Sequence, residues 1–126
     1  MRPVGIHHVN VTVGDHAEAM AFYVGVLGLV ERADRPDFPF AGAWLDAGGQ
    51  QVHLVVGAPH EPTRDHFAVL VEDLDATVTE LRDRGVRVSD PVGVATSRQC
   101  FLRDPWGNLI ELHQTAAAAD RGMVAG

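Results

Sequence analysis

Three histidines and a glutamate stand at matched points of an internally repeated sequence. At an offset of 58 residues His8 falls on His66, Val9, Val11 and Val13 fall on Phe67, Val69 and Val71, and Asp15 falls on Asp73. The same offset carries Asp46, Gly49, Gln50, Val52, His53 and Leu54 onto Asp104, Gly107, Asn108, Ile110, Glu111 and Leu112. Two pairs, His8/His66 and His53/Glu111, therefore hold equivalent places in two similar halves. Two copies are too few for a solenoid, so they read as halves that share one site. Three neutral imidazoles and one carboxylate form a mixed nitrogen and oxygen donor set. That set suits Zn²⁺, Fe²⁺, Ni²⁺, Co²⁺ or Mn²⁺ rather than a thiolate-specific site. It leaves one or two coordination positions for water or substrate, as catalysis requires, and its carboxylate can act as a base.

The elements that must carry these groups follow from periodicity. Residues 6–13 alternate as a strand, with Val9, Val11 and Val13 on one face and Ile6, His8, Asn10 and Thr12 on the other. Asp15 is placed to cap a helix that runs to about Leu27, with Ala19, Met20, Tyr23 and Leu27 as its apolar stripe and Gly28 as its stop. A strand is expected over 29–33, a loop from Ala33 to Gly42, and a hairpin of strands 43–47 and 51–56 across Gly48-Gly49. The second half repeats the order: strand 66–72, a helix capped by Asp73 and ending near Arg84, a short strand Val86–Val88, and a hairpin of 99–103 and 108–114 across Asp104-Pro105-Trp106-Gly107. The fold class is α+β, with two βαβββ modules at about 5–57 and 65–114 forming one domain over 1–114. Residues 115–126, rich in alanine and glycine, are expected to be a flexible C-terminal tail.

Alternation places His8 and His66 on the face away from the helix, His53 with Gln51 and Val55, and Glu111 with Leu109 and His113. The four ligand-type groups are expected on one concave surface of two curved sheets. His7 falls on the helix-facing side, and His16 and His60 read as solvated. His113 shares the face of Glu111 and is a candidate to support it. Arg98, just before the last hairpin, is a candidate to neutralise a substrate carboxylate or phosphonate, and Phe38, Phe40 and Trp44 are candidates to line the pocket.

Bulk properties narrow the classes. A chain of 126 residues makes one domain with a real core. The net charge of −7 argues against nucleic acid, which asks for a basic patch. No apolar run approaches the roughly 20 residues of a spanning helix, and the N-terminus does not read as a signal peptide. Cys100, the single cysteine, cannot close an internal disulfide, which fits a reducing, cytoplasmic setting.

Three segments resemble the vicinal oxygen chelate superfamily of glyoxalase I, fosfomycin-resistance thiol transferases, extradiol dioxygenases and bleomycin-resistance proteins. They are Ile6-His7-His8-Val9, Phe22 to Leu29, and Arg103 to Leu112. The resemblance covers about residues 5–114 and implies paired βαβββ modules, usually in a homodimer. It implies a divalent metal held by His8, His53, His66 and Glu111, and a small-molecule substrate with vicinal oxygens. In bacterial glyoxalase I the second ligand is a glutamate, so His53 leaves Glu111 as the carboxylate for proton transfer. The expected function is a glyoxalase-like lyase or isomerase. The alternatives are a fosfomycin-type thiol transferase using His8, His66 and Glu111, an extradiol dioxygenase with a two-histidine, one-carboxylate iron site, and a drug-sequestering protein of bleomycin-resistance type that needs no metal.

Overall fold

The structure of the protein, a computed structural model, describes residues 1–116. It has two compact units, Met1–Glu61 and a second beginning at Pro62, so the break falls inside the link expected between Gly57 and Asp65. Each unit carries one helical segment and one four-stranded mixed sheet, an α+β architecture. The expected tail lies, from residue 117 onward, outside the described residues.

The first unit runs β1 (His8–Val13), α1 (His16–Met20) continued by a π-helical segment (Ala21–Val26), β2 (Val30–Glu31), β3 (Gly42–Ala47) and β4 (Gln50–Val56). Its strand order is β1-β4-β3-β2, with β1 and β4 parallel and the other pairs antiparallel. A parallel pair needs a long crossover, which α1 and the strands after it supply. Asp15 caps α1 as expected, its Oδ2 accepting from the Glu18 amide at 2.8 Å. The helix was expected to be α-helical to Leu27, but from Ala21 the bonding widens, and the Leu27 amide reaches back to Phe22 O at 2.9 Å. The wider turn brings Phe22 into the core beside Tyr23, ring edge to face at 5.1 Å, while Met20 and Leu27 stay half-buried. Gly28 closes the segment at φ 76°. The core consists of Val11, Val13, Ala43, Leu45, Val52 and Leu54 from the sheet with Ala19, Phe22, Tyr23 and Leu29. Each large member contributes about 1.5–3 kcal/mol by leaving water.

The second unit runs β5 (His66–Leu70), α2 (Leu74–Asp83), β6 (Val92–Val94), β7 (Ser97–Arg103) and β8 (Leu109–Gln114), in the order β5-β8-β7-β6. Asp73 caps α2, accepting from the Ala76 amide at 3.0 Å, and Gly85 ends it at φ 80°. Leu74, Val78 and Leu81 form its buried stripe, against a sheet face of Cys100, Leu102, Ile110 and Leu112. The strand expected at Val86–Val88 is a correction: β6 forms at Val92–Val94 instead. Residues after Gly85 satisfy their backbone otherwise. Arg82 Nη2 donates to Val88 O at 2.9 Å, and Ser89 exchanges two bonds with Phe101, one of them through its hydroxyl.

The duplication is visible in the ladders. Asn10 lies opposite His53, and Ala68 opposite Glu111, so the offset of 58 holds for both partners of each parallel pair. It slips by one in the hairpins: Trp44 faces His53, whereas Phe101, not Leu102, faces Glu111. A two-residue loop at Gly48-Gly49 and a five-residue loop from Asp104 to Asn108 differ by an odd number, which changes the register. The matched aspartates accordingly part company. Asp46 sits in β3 and accepts from Arg32 at 2.8 Å, whereas buried Asp104 ties the turn by accepting from the amides of Trp106 and Asn108.

Candidate metal centre

In the first unit, alternation along the strands turns His8, Gln51, His53 and Trp44 to the face away from α1. There the rings stack. Trp44 and His53 lie 4.5 Å apart at 11°, and His53 and His8 lie 3.9 Å apart at 12°. Phe38 adjoins Trp44 at 6.2 Å and stacks on Phe40 at 5.0 Å, which extends the row into the loop before β3. Phe38 and Phe40 are 36% and 45% exposed, so both stay open to a ligand rather than joining the core. His53 is buried, and its Nε2 lies 2.8 Å from Gln51 Oε1. With that carbonyl accepting, the ring lone pair falls on Nδ1. Burial holds the His53 imidazole below its ordinary value, and His8, His7 and the charges of Arg32 and Arg35 lower it further. A neutral ring is the form a metal requires. His7 is a correction: β1 begins only at His8, so alternation does not reach it. It is exposed, with Nδ1 2.9 Å from His8 Nδ1.

In the second unit β5 and β8 bring His66 and Glu111 together on the corresponding face, with Nε2 and Oε1 3.2 Å apart. The partners fix the tautomer. His66 Nδ1 is 2.9 Å from Arg64 O, and a carbonyl can only accept, so Nδ1 carries the hydrogen. A neutral His66 therefore aims the lone pair of Nε2 at a carboxylate oxygen. Two acceptors at that distance repel unless a cation, proton or metal, lies with them. A backbone carbonyl on the outer nitrogen and a bare inner nitrogen is the usual setting of a metal-binding histidine. Glu111 is buried, and its other oxygen, Oε2, lies 2.8 Å from His113 Nδ1. Phe101 closes the side, edge to face with His66 at 5.4 Å.

The side chains are of the types that bind a divalent ion: the imidazoles of His8 and His53 in the first unit, with burial holding His53 toward its neutral form, and the imidazole of His66 with the carboxylate of Glu111 in the second. Within the described residues of either unit no third such side chain completes a ligand set. Each unit holds a pair of candidate ligands: His8 stacked on His53 in the first, and His66 facing Glu111 in the second. His113, Trp44, Phe38 and Phe40 lie beside these pairs. Arg98 does not. It shares the helix-facing side of β7 with buried Cys100 and Leu102, and it grips Asp75 of α2 through two bonds of 2.9 and 3.0 Å. Asp75 in turn holds the guanidinium above its ordinary value and is itself held low. Alternation with Cys100 and Leu102 was the sequence signal for this placement. Gln51 and Phe101 were not singled out from the sequence, although each shares its face with a candidate ligand.

Comparison with known proteins gives a consistent result. A family described as Glyoxalase/Bleomycin resistance protein/Dioxygenase superfamily matches residues 5–112. A protein of Synechocystis sp. named probable lactoylglutathione lyase is 32% identical, over 90% of this chain and 97% of its own. A crystal structure of a Bacillus anthracis protein assigned to the glyoxalase family superposes with a TM-score of 0.81 at 31% identity, covering 91% of this chain and 99% of that one. The antibiotic binding protein TnmS3 of Streptomyces superposes with a TM-score of 0.76 at 28% identity, covering 91% and 98%.

Proposed function

The chain belongs to the Glyoxalase/Bleomycin resistance protein/Dioxygenase superfamily, and from that premise we propose that it is a metal-dependent, glyoxalase-like enzyme, a lyase or isomerase of a small substrate with vicinal oxygens. His8, His53, His66 and Glu111 are its metal ligands, in a homodimer of the reducing cytoplasm. The observation that carries this reading is the 3.2 Å contact of His66 Nε2 with Glu111 Oε1, which needs a proton or a metal ion between them, with the outer nitrogen of His66 tied to Arg64 O.

A divalent ion such as Zn²⁺, Ni²⁺, Co²⁺, Mn²⁺ or Fe²⁺, held by these residues, would supply Lewis-acid polarisation of a substrate carrying vicinal oxygens and so acidify its neighbouring C–H. The chain's own groups do the rest. Glu111 takes that proton on its carboxylate and returns it to the adjacent carbon. His113 Nδ1 holds Oε2, so the carboxylate keeps one orientation, with Oε1 turned to His66. Trp44, Phe38 and Phe40 present flat apolar faces to the substrate beside His53 and keep water from it. The name of the Synechocystis relative supports the lyase class.

A second reading, drug sequestration, draws on the row of rings from Phe40 to His8 and on the likeness to TnmS3. Metal analysis separates the two. Protein purified without a histidine tag is expected to hold one divalent ion per chain, and His66→Ala or Glu111→Ala to lose it. At an ion concentration a hundred times Kd, binding stabilises the fold by about 2.7 kcal/mol, a gain that chelator removes. Protein that melts at the same temperature with and without added Zn²⁺, Ni²⁺, Mn²⁺ or Fe²⁺ overturns the enzyme reading in favour of sequestration.

A further inference from the structure

Among the arginines, Arg32, Arg82, Arg84 and Arg98 have carboxylate partners. Arg35, in the loop before β3, has none among the described residues, as is also true of Arg2, Arg64, Arg87 and Arg103, but it alone of these lies against two aromatic rings. The residue is half-buried, and its guanidinium donates an exposed hydrogen bond from Nη2 to Phe40 O at 2.9 Å. It lies 5.0 Å from the Phe38 ring centre and 5.4 Å from that of Phe40, within cation–π reach of both. One hydrogen bond leaves the other donors of this guanidinium open to an anion, beside two aromatic faces.

The surroundings preserve that state. Asp34, the nearest carboxylate in sequence, is gripped by Arg32 through bonds of 2.9 and 2.7 Å, and Arg32 also takes Asp46. Arg32 thus occupies Asp34, the carboxylate next to Arg35 in sequence. The loop is stiffened by Pro36 and Pro39, which restrict Arg35 and Phe38 before them to extended backbone. Behind the guanidinium lies Gly42, where a side chain would press on Arg35 Nη2 at 3.0 Å. The cation is therefore preorganised beside two exposed rings that continue through Trp44 to His53.

We propose that Arg35 binds the carboxylate of a small organic acid whose flat apolar body lies on Phe38 and Phe40, and that it thereby sets which substrates reach the metal-binding face. The proposal names the substrate class for the site proposed above and rests on that reading for its catalytic meaning. The anion contact itself needs no metal. It also moves the anion-binding role from Arg98, which faces the helix, to a residue without a motif of its own.

The test is calorimetric titration of the full chain, stripped with chelator, with benzoate and with its neutral counterpart benzamide. Benzoate is expected to bind at least about tenfold more tightly than benzamide, as a charge-assisted contact implies. Arg35→Gln keeps a donor for Phe40 O and removes the charge, so it is expected to erase that preference, while Arg35→Lys keeps part of it. Arg32→Ala, which frees Asp34 to compete, is expected to weaken benzoate, and Arg98→Ala to leave it unchanged. Circular dichroism and melting of each variant check folding. Undetectable benzoate binding, equal binding of benzamide, or an Arg35→Gln variant that binds benzoate as the native chain does overturns the proposal. Because the protein is metal-free throughout, none of these outcomes depends on whether it binds a metal.

Discussion

Glu111 is held from both sides, by His66 on Oε1 and His113 on Oε2, and the two contacts differ in kind. The first needs a proton or a metal ion between nitrogen and oxygen; the second is a bond from His113 that orients the carboxylate. Removing the orienting bond leaves the ligand in place but free to rotate. Loss of such a supporting bond typically costs 10–100-fold in metal affinity. His113→Ala is therefore expected to weaken metal binding by at least about tenfold, and His113→Asn, whose amide can donate to the same oxygen, to recover part of it. Competition with a chromogenic chelator measures both, and an alanine variant with native affinity would refute the orienting role. How far such roles are legible differs by residue. The pairing of His66 with Glu111 follows from strand alternation and the offset of 58, because ladder register is set by the same pattern in both halves. Proximity to the last hairpin does not place Arg98 at the site, because it alternates with Cys100 and Leu102 and faces Asp75 of α2. Arg35 left no local mark, since its rings reach it only when the loop folds back.

The hairpins explain why the two halves are related but unequal. β3 and β4 turn through Gly48, whose φ of 61° suits the first central position of a two-residue loop, whereas β7 and β8 turn through a five-residue loop tied by Asp104. The odd difference in length sets Trp44 against His53 in one module and Phe101 against Glu111 in the other. Sequence matching across Asp46 and Asp104 could not show this, because identity at an offset does not report register. The missing strand at Val86–Val88 has a similar origin: apolar alternation is present, but Ser89 and Arg82 satisfy the backbone there. Gly42 carries the tightest backbone constraint in β3. A Cβ there would collide with Leu54 O of the neighbouring strand and crowd Arg35 Nη2, and backbone cannot yield as a side-chain end can. Gly42→Ala is expected to destabilise the protein by about 1–3 kcal/mol, the usual cost of overpacking, and to weaken benzoate through the displaced guanidinium. Gly49→Ala, where a Cβ meets nothing within 4 Å, is expected to change benzoate binding little. Chemical denaturation of the two variants compares them directly, and a Gly42→Ala protein as stable as the native chain would contradict the packing argument.

For the protein as a whole, protons are expected to oppose folding and metal binding in the same pH window. His53 is held below its ordinary value chiefly by burial, so between that lowered value and about 6.5, the value of an unfolded histidine, the unfolded chain binds a proton that the folded chain refuses. Stability then rises with pH across this interval and is lost as pH falls from about 6.5. The lowered carboxyls of Asp34 and Asp75, each beside an arginine, act further down. Their stabilisation is present above the unfolded carboxylate value of about 3.9 and is lost below it as they protonate. They leave the region above pH 5 to His53. Metal binding adds a second dependence of the same sign, because every imidazole ligand must shed its proton. Melting of chelated protein is therefore expected to fall as pH drops from 7.5 to 5.5, and the extra stability conferred by metal to shrink over the same range. His53→Gln removes the titrating group, so it is expected to flatten the first dependence and to reduce the second. A chelated protein whose melting follows the same pH curve with and without His53 would show that burial of this imidazole does not couple to folding. The metal-conferred increment, measured in the same series, would still test the ligand set independently.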